Sequence, residues 1–170
     1  MSELIRRVER IREVLAQRPD GIKLGDFPPG RTVSDSDLPP GLAEVLAVTD
    51  GARGGDIVVY SHERLKEQDI PFEQAAAIPE GEADRWLCFG TLNYEPLLVH
   101  RETGEVWWFP DTGVLWWQSE EFRKLTDSVA EFVVNYLLGS GYLDICVGGD
   151  DDWARLLVEL GWADRGDSGE

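Results

Sequence analysis

The chain has 170 residues, of which 42% are hydrophobic and 10% aromatic, so it is long enough for one domain and too apolar to be disordered throughout. Its 33 acidic and 16 basic residues give a formal net charge of -17 at pH 7. Such a surface repels phosphates, so we expect no direct binding of DNA or RNA and an attraction for basic proteins. The same acidity would also serve solubility alone, so charge by itself names no partner.

Neither a membrane span nor a secretion signal is visible. The longest apolar run, residues 132–139, is too short to cross a bilayer, and the N-terminus alternates charged and aliphatic residues. We therefore expect a cytoplasmic protein. Cys88 and Cys146 lie in apolar contexts and are predicted to be buried, reduced thiols, although a single disulfide stays open as an alternative.

The first part of the chain predicts two helices. Apolar residues recur at helical spacing over residues 3–17, and Pro19 to Gly21 end that helix. Residues 21–37 are rich in Gly, Pro, Ser and Asp, which is typical of a loop. A second helix is predicted from Pro39, with Gly51 as its left-handed cap.

The middle of the chain is rich in predicted strands. A short strand is expected over residues 56–60, followed by a helical turn or two over 62–69 and an irregular acidic stretch to Glu82. Short loops separate the next apolar runs, so we expect antiparallel hairpins. These runs are residues 85–89, 96–101, 105–109 and 114–117.

Helices return at the end of the chain, over residues 128–138 and 151–160, before a frayed tail at 163–170. Helices, then a meander of strands, then helices predict an α+β fold. We expect a central, mainly antiparallel twisted sheet flanked by N-terminal and C-terminal helices. No linker is visible, so residues 1–170 are predicted to form a single domain.

Motifs for catalysis or cofactor binding are missing from the sequence. The only histidines, His62 and His100, lie far apart, and there is no nucleophile elbow, phosphate loop or dinucleotide fingerprint. The acidic clusters 35–37 and 150–152 lack the ligand spacing of a calcium-binding loop. We expect the first cluster to lie in a solvated loop and the second to cap a helix. We expect no enzyme, cofactor or metal, although a carboxylate pair of the glycosidase type stays open.

Two pairs of tryptophans, Trp107-Trp108 and Trp116-Trp117, suggest how a partner could bind. Successive side chains of a strand point to opposite faces, so both faces of this hairpin are predicted to be apolar. Either helices or residues 61–82 cover the second face, or part of it is an exposed aromatic patch. The predicted contact residues are two aromatic anchors, Trp107 and Trp116, with the acidic companions Asp50, Asp56, Glu105 and Asp111.

Four segments, in order and spacing, resemble the SUKH superfamily of Smi/Knr-like proteins. The resemblance covers residues 38–139, and its Ser-Phe-x-x-Phe-Leu helix has Val129 where an aromatic residue is usual. The segments are Leu-Pro to Asp-Gly at 38–51, Arg-Trp-Leu-Cys-Phe-Gly at 85–90, the hairpin at 96–107 and the helix at 128–138.

The resemblance implies an α+β fold and, in bacteria, an immunity protein that binds and neutralises the toxin of a polymorphic or contact-dependent system. The alternative is a regulatory or scaffolding protein of cell-wall synthesis or a biosynthetic gene cluster. A neighbouring toxin gene would favour the first, and a lone or biosynthetic gene the second. The family has no catalytic residues to transfer, and its toxin-contact surfaces vary, so no residue here inherits a role.

Overall fold

A seven-stranded antiparallel sheet forms the centre of the molecule. The computed structural model describes residues 2–34, 37–67, 70–146 and 150–166. Each strand pairs with the next one along the chain. The strands are β1 (Gly25–Asp26), β2 (Ala52–Gly54), β3 (Ile57–Val59), β4 (Trp86–Leu92), β5 (Glu95–His100), β6 (Val106–Trp108) and β7 (Arg123–Thr126).

Helices precede, interrupt and follow the sheet, which confirms the predicted α+β fold. In the described ranges, no helix is long and apolar enough to cross a membrane. The α-helices are α1 (Glu3–Ala16), α2 (Gly21–Leu24), α3 (Leu42–Val48), α4 (His62–Lys66), α5 (Val129–Phe132), α6 (Tyr142–Ile145) and α7 (Asp152–Glu159). Two 3-10 turns, Phe72–Gln74 and Ala83–Arg85, precede β4, and a π-helical turn, Val133–Leu137, continues α5.

Helix α1 confirms the helix predicted over residues 3–17. The Ser2 side chain caps it by accepting the backbone N–H of Ile5 at 3.3 Å. On its inner side, the guanidinium of Arg12 donates to the backbone carbonyls of Phe27 and Val48 at 2.8 and 2.7 Å. These bonds fasten the segment after β1 and the end of α3 to the first helix.

Helix α5 packs on one face of the sheet, where its Phe132 ring meets Phe89 of β4 edge to face, 5.6 Å between centroids. Ser128 begins the helix by accepting the Glu131 N–H at 3.1 Å. The π-helical turn then places the N–H of Leu138 2.8 Å from the carbonyl of Val133. The predicted helix over 128–138 is therefore present, with a wider last turn than expected.

Helix α7 confirms the predicted C-terminal helix. The Asp151 carboxylate accepts the backbone N–H of Ala154 at 2.8 Å, which is the capping role predicted for the 150–152 cluster. Gly161 follows the helix with φ 74°, a left-handed conformation that favours glycine. Trp153 of this helix is buried.

The prediction of a strand over residues 114–117 is wrong. The backbone N–H groups of Gln118 and Ser119 donate to the carbonyl of Leu115 at 2.9 and 3.1 Å, so this segment is a tight turn. The strand that pairs with β6 is β7, with Val106 opposite Thr126. Because β7 is an exposed edge strand with charged residues, its sequence lacks the apolar signature of a buried strand.

Other boundaries also differ from prediction. The helix predicted from Pro39 begins at Leu42, and its C-cap is Thr49, so that Gly51, with φ 87°, lies beyond the cap. Gly90 does not end the strand before it but lies inside β4, next to an irregularity of pairing after Cys88. A Cβ at Gly90 would lie 2.1 Å from the carbonyl oxygen of Val58, so the approach of β3 excludes a side chain there. Residues 21–37 are not entirely loop, because they contain α2 and β1. The short elements β2 and α6 were not predicted.

The two cysteines are free and buried, as predicted. Burial raises the pKa of the Cys88 thiol to about 11 and that of the Cys146 thiol to about 12. Both thiols therefore stay protonated at neutral pH. The predictions for the 35–37 cluster, for the end of the 62–69 helix and for the tail fall partly or wholly outside the described residues.

Candidate interaction surface

An aromatic cluster covers the sheet face opposite α5. Phe122 lies at its centre, with its ring centroid 5.0 Å from that of Trp86 and 5.1 Å from that of Trp107. Phe109 stacks on Phe122 at 4.8 Å. Of the two alternatives, the one in which other residues cover the second face is therefore correct for this part of the sheet. Much of the covering surface comes from residues after β6.

Two connections of the sheet meet over this cluster. The backbone N–H of Ala76 donates to the carbonyl of Trp117 at 2.9 Å, and Phe72 meets Trp116 edge to face at 6.1 Å. We call residues 70–84 and 110–122 together the acidic apolar lobe. The first segment has four acidic residues, the second has three, and neither has a lysine or arginine.

The lobe presents apolar side chains to solvent. Val114, Leu115 and Trp117 are 48%, 51% and 39% exposed, and all three lie in the turn that replaces the predicted strand. Elsewhere in the described chain, the exposed large apolar residues are Ile22 and Tyr94, at 75% and 95%. A cluster of exposed apolar residues with an acidic rim has the character of a protein-binding surface.

Most carboxylates of the lobe have no cation beside them. Among the described residues, ion pairs are formed only by Glu82, with Arg85 at 3.6 Å, and by Glu121, with Arg123 at 2.6 Å. Both arginines lie just outside the lobe. The lobe therefore has a net negative charge available to a basic partner.

Trp116 and Asp111, two of the predicted contact residues, belong to the lobe. Trp116 is half-buried and packs on Phe109 at 5.5 Å as well as on Phe72, so it supports the lobe from within. Asp111 is exposed, and its Oδ1 accepts the backbone N–H of Gly113 at 3.0 Å. The exposed neighbour Trp117 is better placed than Trp116 to touch a partner.

Trp107 lies in β6 and Glu105 directly before it, next to the lobe. Their side chains form a hydrogen bond with each other. The indole N–H of Trp107 donates to Glu105 Oε2 at 3.3 Å, and Lys124 Nζ lies 3.0 Å from Glu105 Oε1. The bond from Lys124, followed by that from Trp107, lowers the pKa of Glu105. Since a lysine already neutralises Glu105, this pair fastens β6 to β7 and is a poor acidic contact for a partner.

Asp50 and Asp56 are not part of this surface. Asp50 Oδ1 accepts the backbone N–H of His62 at 2.8 Å, which fixes the start of α4. Asp56 lies in the turn between β2 and β3, where its backbone N–H donates to the Tyr142 hydroxyl at 3.0 Å. Strands β4 and β5 separate β3 from β6, so the structure does not bring these two residues to the predicted site.

A small cavity opens at the edge of the lobe. Its volume is about 110 Å³, and its walls include the aromatic residues Trp108 and Phe109 and the carboxylates of Glu95 and Asp111. Partial burial, and next the charge of Asp111, raise the pKa of Glu95. Glu95 and Trp108 were not predicted as site residues.

The cavity lies beside the turn between β4 and β5. Asn93, which lines the cavity, and Tyr94 have φ values of 50° and 68°. Both central residues of this two-residue turn are thus left-handed, as the twist of a tight hairpin favours. Asparagine tolerates this conformation, whereas tyrosine adopts it at a steric cost. The Asn-Tyr pair between two strands is a sequence signal that predicts this turn, in addition to the predicted contact residue Asp111.

Neither histidine lines the cavity. His100 packs edge to face on Trp86 at 4.9 Å, and its Nδ1 accepts the backbone N–H groups of Glu102 and Thr103 at 3.2 and 3.3 Å. His62 is buried at the start of α4. Over the part of the chain that the structure describes, no three His, Cys, Asp or Glu side chains are grouped to hold a metal ion.

Comparison of the chain with models of known protein families gives no match, and comparison with curated protein sequences gives none either.

Proposed function

We propose that this chain is a non-enzymatic, SUKH-type immunity protein that binds a basic bacterial toxin domain in the cytoplasm and covers its working surface. The acidic apolar lobe is the observation that carries the proposal. Its exposed turn, residues 114–117, offers apolar area to a partner, and its net negative charge selects a partner of positive charge. Nuclease toxins are basic where they hold phosphates, which matches this surface.

The place of the lobe in the chain supports the same function. Residues 70–84 and 110–122 both lie between segments that resemble the family, and neither belongs to one of them. Toxin-contact surfaces of SUKH-type proteins differ from member to member, so a contact surface is expected outside the shared segments. The sheet strands β4 to β6 and helix α5, by contrast, coincide with the shared segments.

Two physical terms contribute to binding. Burial of Leu115 and the exposed part of Trp117 removes apolar surface from water, at about 25 cal/mol per Å² before the costs of association. The net charge of -17 accelerates the encounter with a cationic protein. Association should therefore slow as salt is added, and a salt-independent rate would count against the electrostatic part of the proposal.

The test is co-expression with the product of a neighbouring toxin gene, with cell survival and purification of a complex as readouts. The variant Val114→Ser/Leu115→Ser should bind at least about tenfold more weakly than the native chain. Ile22→Ser is the control, because Ile22 is an even more exposed aliphatic residue, at 75%, but lies in α2 beside β1, at the opposite edge of the sheet.

Loss of protection in the turn variant, with protection retained in the control, supports the proposal. Failure of the native chain to protect cells from, or to bind, any neighbouring toxin overturns it. Binding through the same turn to a biosynthetic or wall-synthesis enzyme would instead assign the lobe to the regulatory alternative.

A further inference from the structure

Two carboxylates face the cavity beside the lobe without a cation between them. Glu95 begins β5, and Asp111 follows β6, so two separate connections bring them to the same cavity. Neither forms an ion pair with a lysine or arginine of the described residues, although Lys124 neutralises Glu105 nearby. The pair is therefore a negative site that no lysine or arginine in the described part of the chain neutralises.

The charge of Glu95 is disfavoured at this position, as its raised pKa indicates. The causes of the raised pKa are partial burial and the charge of Asp111. A cation placed between two such groups removes both the repulsion and part of the desolvation penalty. The arrangement thus favours a positively charged occupant over a neutral or anionic one.

The walls of the cavity suit the apolar part of such an occupant. Trp108 and Phe109 supply aromatic surface, and Leu97 and Ile145 contribute aliphatic surface. The volume of about 110 Å³ is several times the ~10–15 Å³ that a single water needs, so it has room for a cationic head group. Aromatic and acidic walls together are typical of pockets that receive an arginine or lysine side chain.

We propose that this cavity receives an arginine side chain of the partner protein, with the guanidinium between Glu95 and Asp111 and its stem against Trp108. This inference rests on the proposed protein-binding function and specifies its anchor. A planar guanidinium has five N–H donors, so it can serve two carboxylates at once and still lie against an aromatic ring. Asp111 belongs both to the lobe and to the wall of the cavity, so the two adjoin at this residue.

The first experiment uses the full chain and needs no partner. The probe is N-acetyl-arginine amide, and its neutral counterpart is N-acetyl-citrulline amide, which has the same shape without the charge. Binding is followed by the NMR signals of the tryptophan indole N–H groups. The arginine probe should shift the signal of Trp108, the citrulline probe should not, and the pKa of Glu95 should fall when the arginine probe is bound.

Variants then locate the binding. Glu95→Gln and Asp111→Asn should each weaken the arginine probe about tenfold, because each removes one charge-assisted contact. Glu73→Gln and Glu80→Gln are the matched controls, since they remove the same charge from the lobe without lining the cavity. Equal shifts with the citrulline probe, or equal weakening in the control variants, would overturn the proposal.

The outcomes separate the two proposals. If the arginine probe binds at the cavity and no toxin is found, the cavity assignment stands and the toxin proposal is overturned. If a toxin binds through residues 114–117 and Glu95→Gln leaves its affinity unchanged, the lobe stands and the cavity proposal is overturned.

Discussion

Trp153 lies directly on Gly54, so that the last helix and the second strand are in contact without an intervening side chain. A Cβ built on Gly54 would be 2.4 Å from Cε2 of this indole, and one built on Gly25, which pairs with Gly54, would be 2.7 Å from Cζ3. The indole N–H donates to the carbonyl of Leu137 at 2.9 Å. The C-terminal helix, which lies beyond the family-like segments, is therefore part of the core.

This contact predicts that Gly54→Ala destabilises the fold by about 1–3 kcal/mol, because the added methyl overpacks the indole site. The same substitution in a Trp153→Leu background should cost less than about 1 kcal/mol, since the smaller side chain leaves room. Urea denaturation of the four proteins of this double-mutant cycle gives the coupling energy. Equal costs in the two backgrounds would show that the indole is not what excludes a side chain at position 54.

The hydroxyl of Tyr142 links the β2–β3 turn to the start of α7. It accepts the backbone N–H of Asp56 at 3.0 Å and donates to the Asp151 carboxylate. Tyr142→Phe should lower the free energy of unfolding by about 1–3 kcal/mol, because the backbone N–H of Asp56 and the Asp151 carboxylate both lose the hydroxyl as a hydrogen-bond partner. Tyr94→Phe is the control and should change it by less than about 0.5 kcal/mol, since that ring is almost fully exposed.

Asp56 should make stability depend on pH in a specific direction. Burial, and next the charge of Asp151, raise its pKa above the ordinary 3.8. The folded state therefore binds the proton more tightly than the unfolded state, and this stabilising contribution is complete below pH 3.8 and lost as pH rises through the raised pKa. Asp56→Asn cannot ionise and should be more stable than the native chain at pH 7.

The measurement is urea denaturation of both proteins from pH 3.5 to 7. The stability difference between them should close as the pH falls toward the ordinary carboxyl pKa. A difference that stays constant over this range would contradict the assignment of the pH dependence to Asp56.

Replacing Tyr94 by glycine should stabilise the fold. Its φ of 68° is left-handed, and its side chain is 95% exposed, so the ring adds little packing to offset the steric cost. Tyr94→Gly should raise the free energy of unfolding by about 0.5–1 kcal/mol, the difference between that cost and the conformational entropy of glycine. Tyr94→Ala removes the same ring but keeps a Cβ, so it should give no gain in the same denaturation assay.

The sequence predicted those elements whose signals are local. The helical period of residues 3–17, the cap at Ser128 and the cap at Asp151 followed by Gly161 each act within a few residues, and the structure has helices at all three places. The apolar runs that became β4, β5 and β6 are buried strands, for which composition is informative.

The turn at residues 114–117 shows where local signals fail. Its sequence, Val-Leu-Trp-Trp, has high strand propensity, yet the segment forms a turn, and the carbonyl of Trp117 accepts the backbone N–H of Ala76, 41 residues earlier in the chain, at 2.9 Å. The strand that replaces it, β7, is polar because it lies at an edge. Both outcomes depend on tertiary contacts that composition does not encode.

Only part of the candidate site could be predicted from the sequence, for the same reason. Trp116 and Asp111 stood out by residue type and belong to the lobe, whereas Glu95 and Trp108 meet only because the turn after β4 and the end of β6 come together in the folded sheet. Asp50 and Asp56 are predicted as acidic contacts on nearby turns, but the structure places them in local hydrogen bonds in the first half of the sheet.

The order of the strands allows the sequence of the lobe to vary without disturbing the sheet. Every strand pairs with its sequence neighbour, so the backbone ladder from β4 to β7 is complete without a hydrogen bond from the outer surface of either lobe segment. Mutations in the exposed turn can therefore accumulate while the scaffold is preserved. Related sequences should thus diverge fastest at the exposed positions of residues 114–117, and more slowly at the buried positions of the lobe such as Phe72 and Ser119.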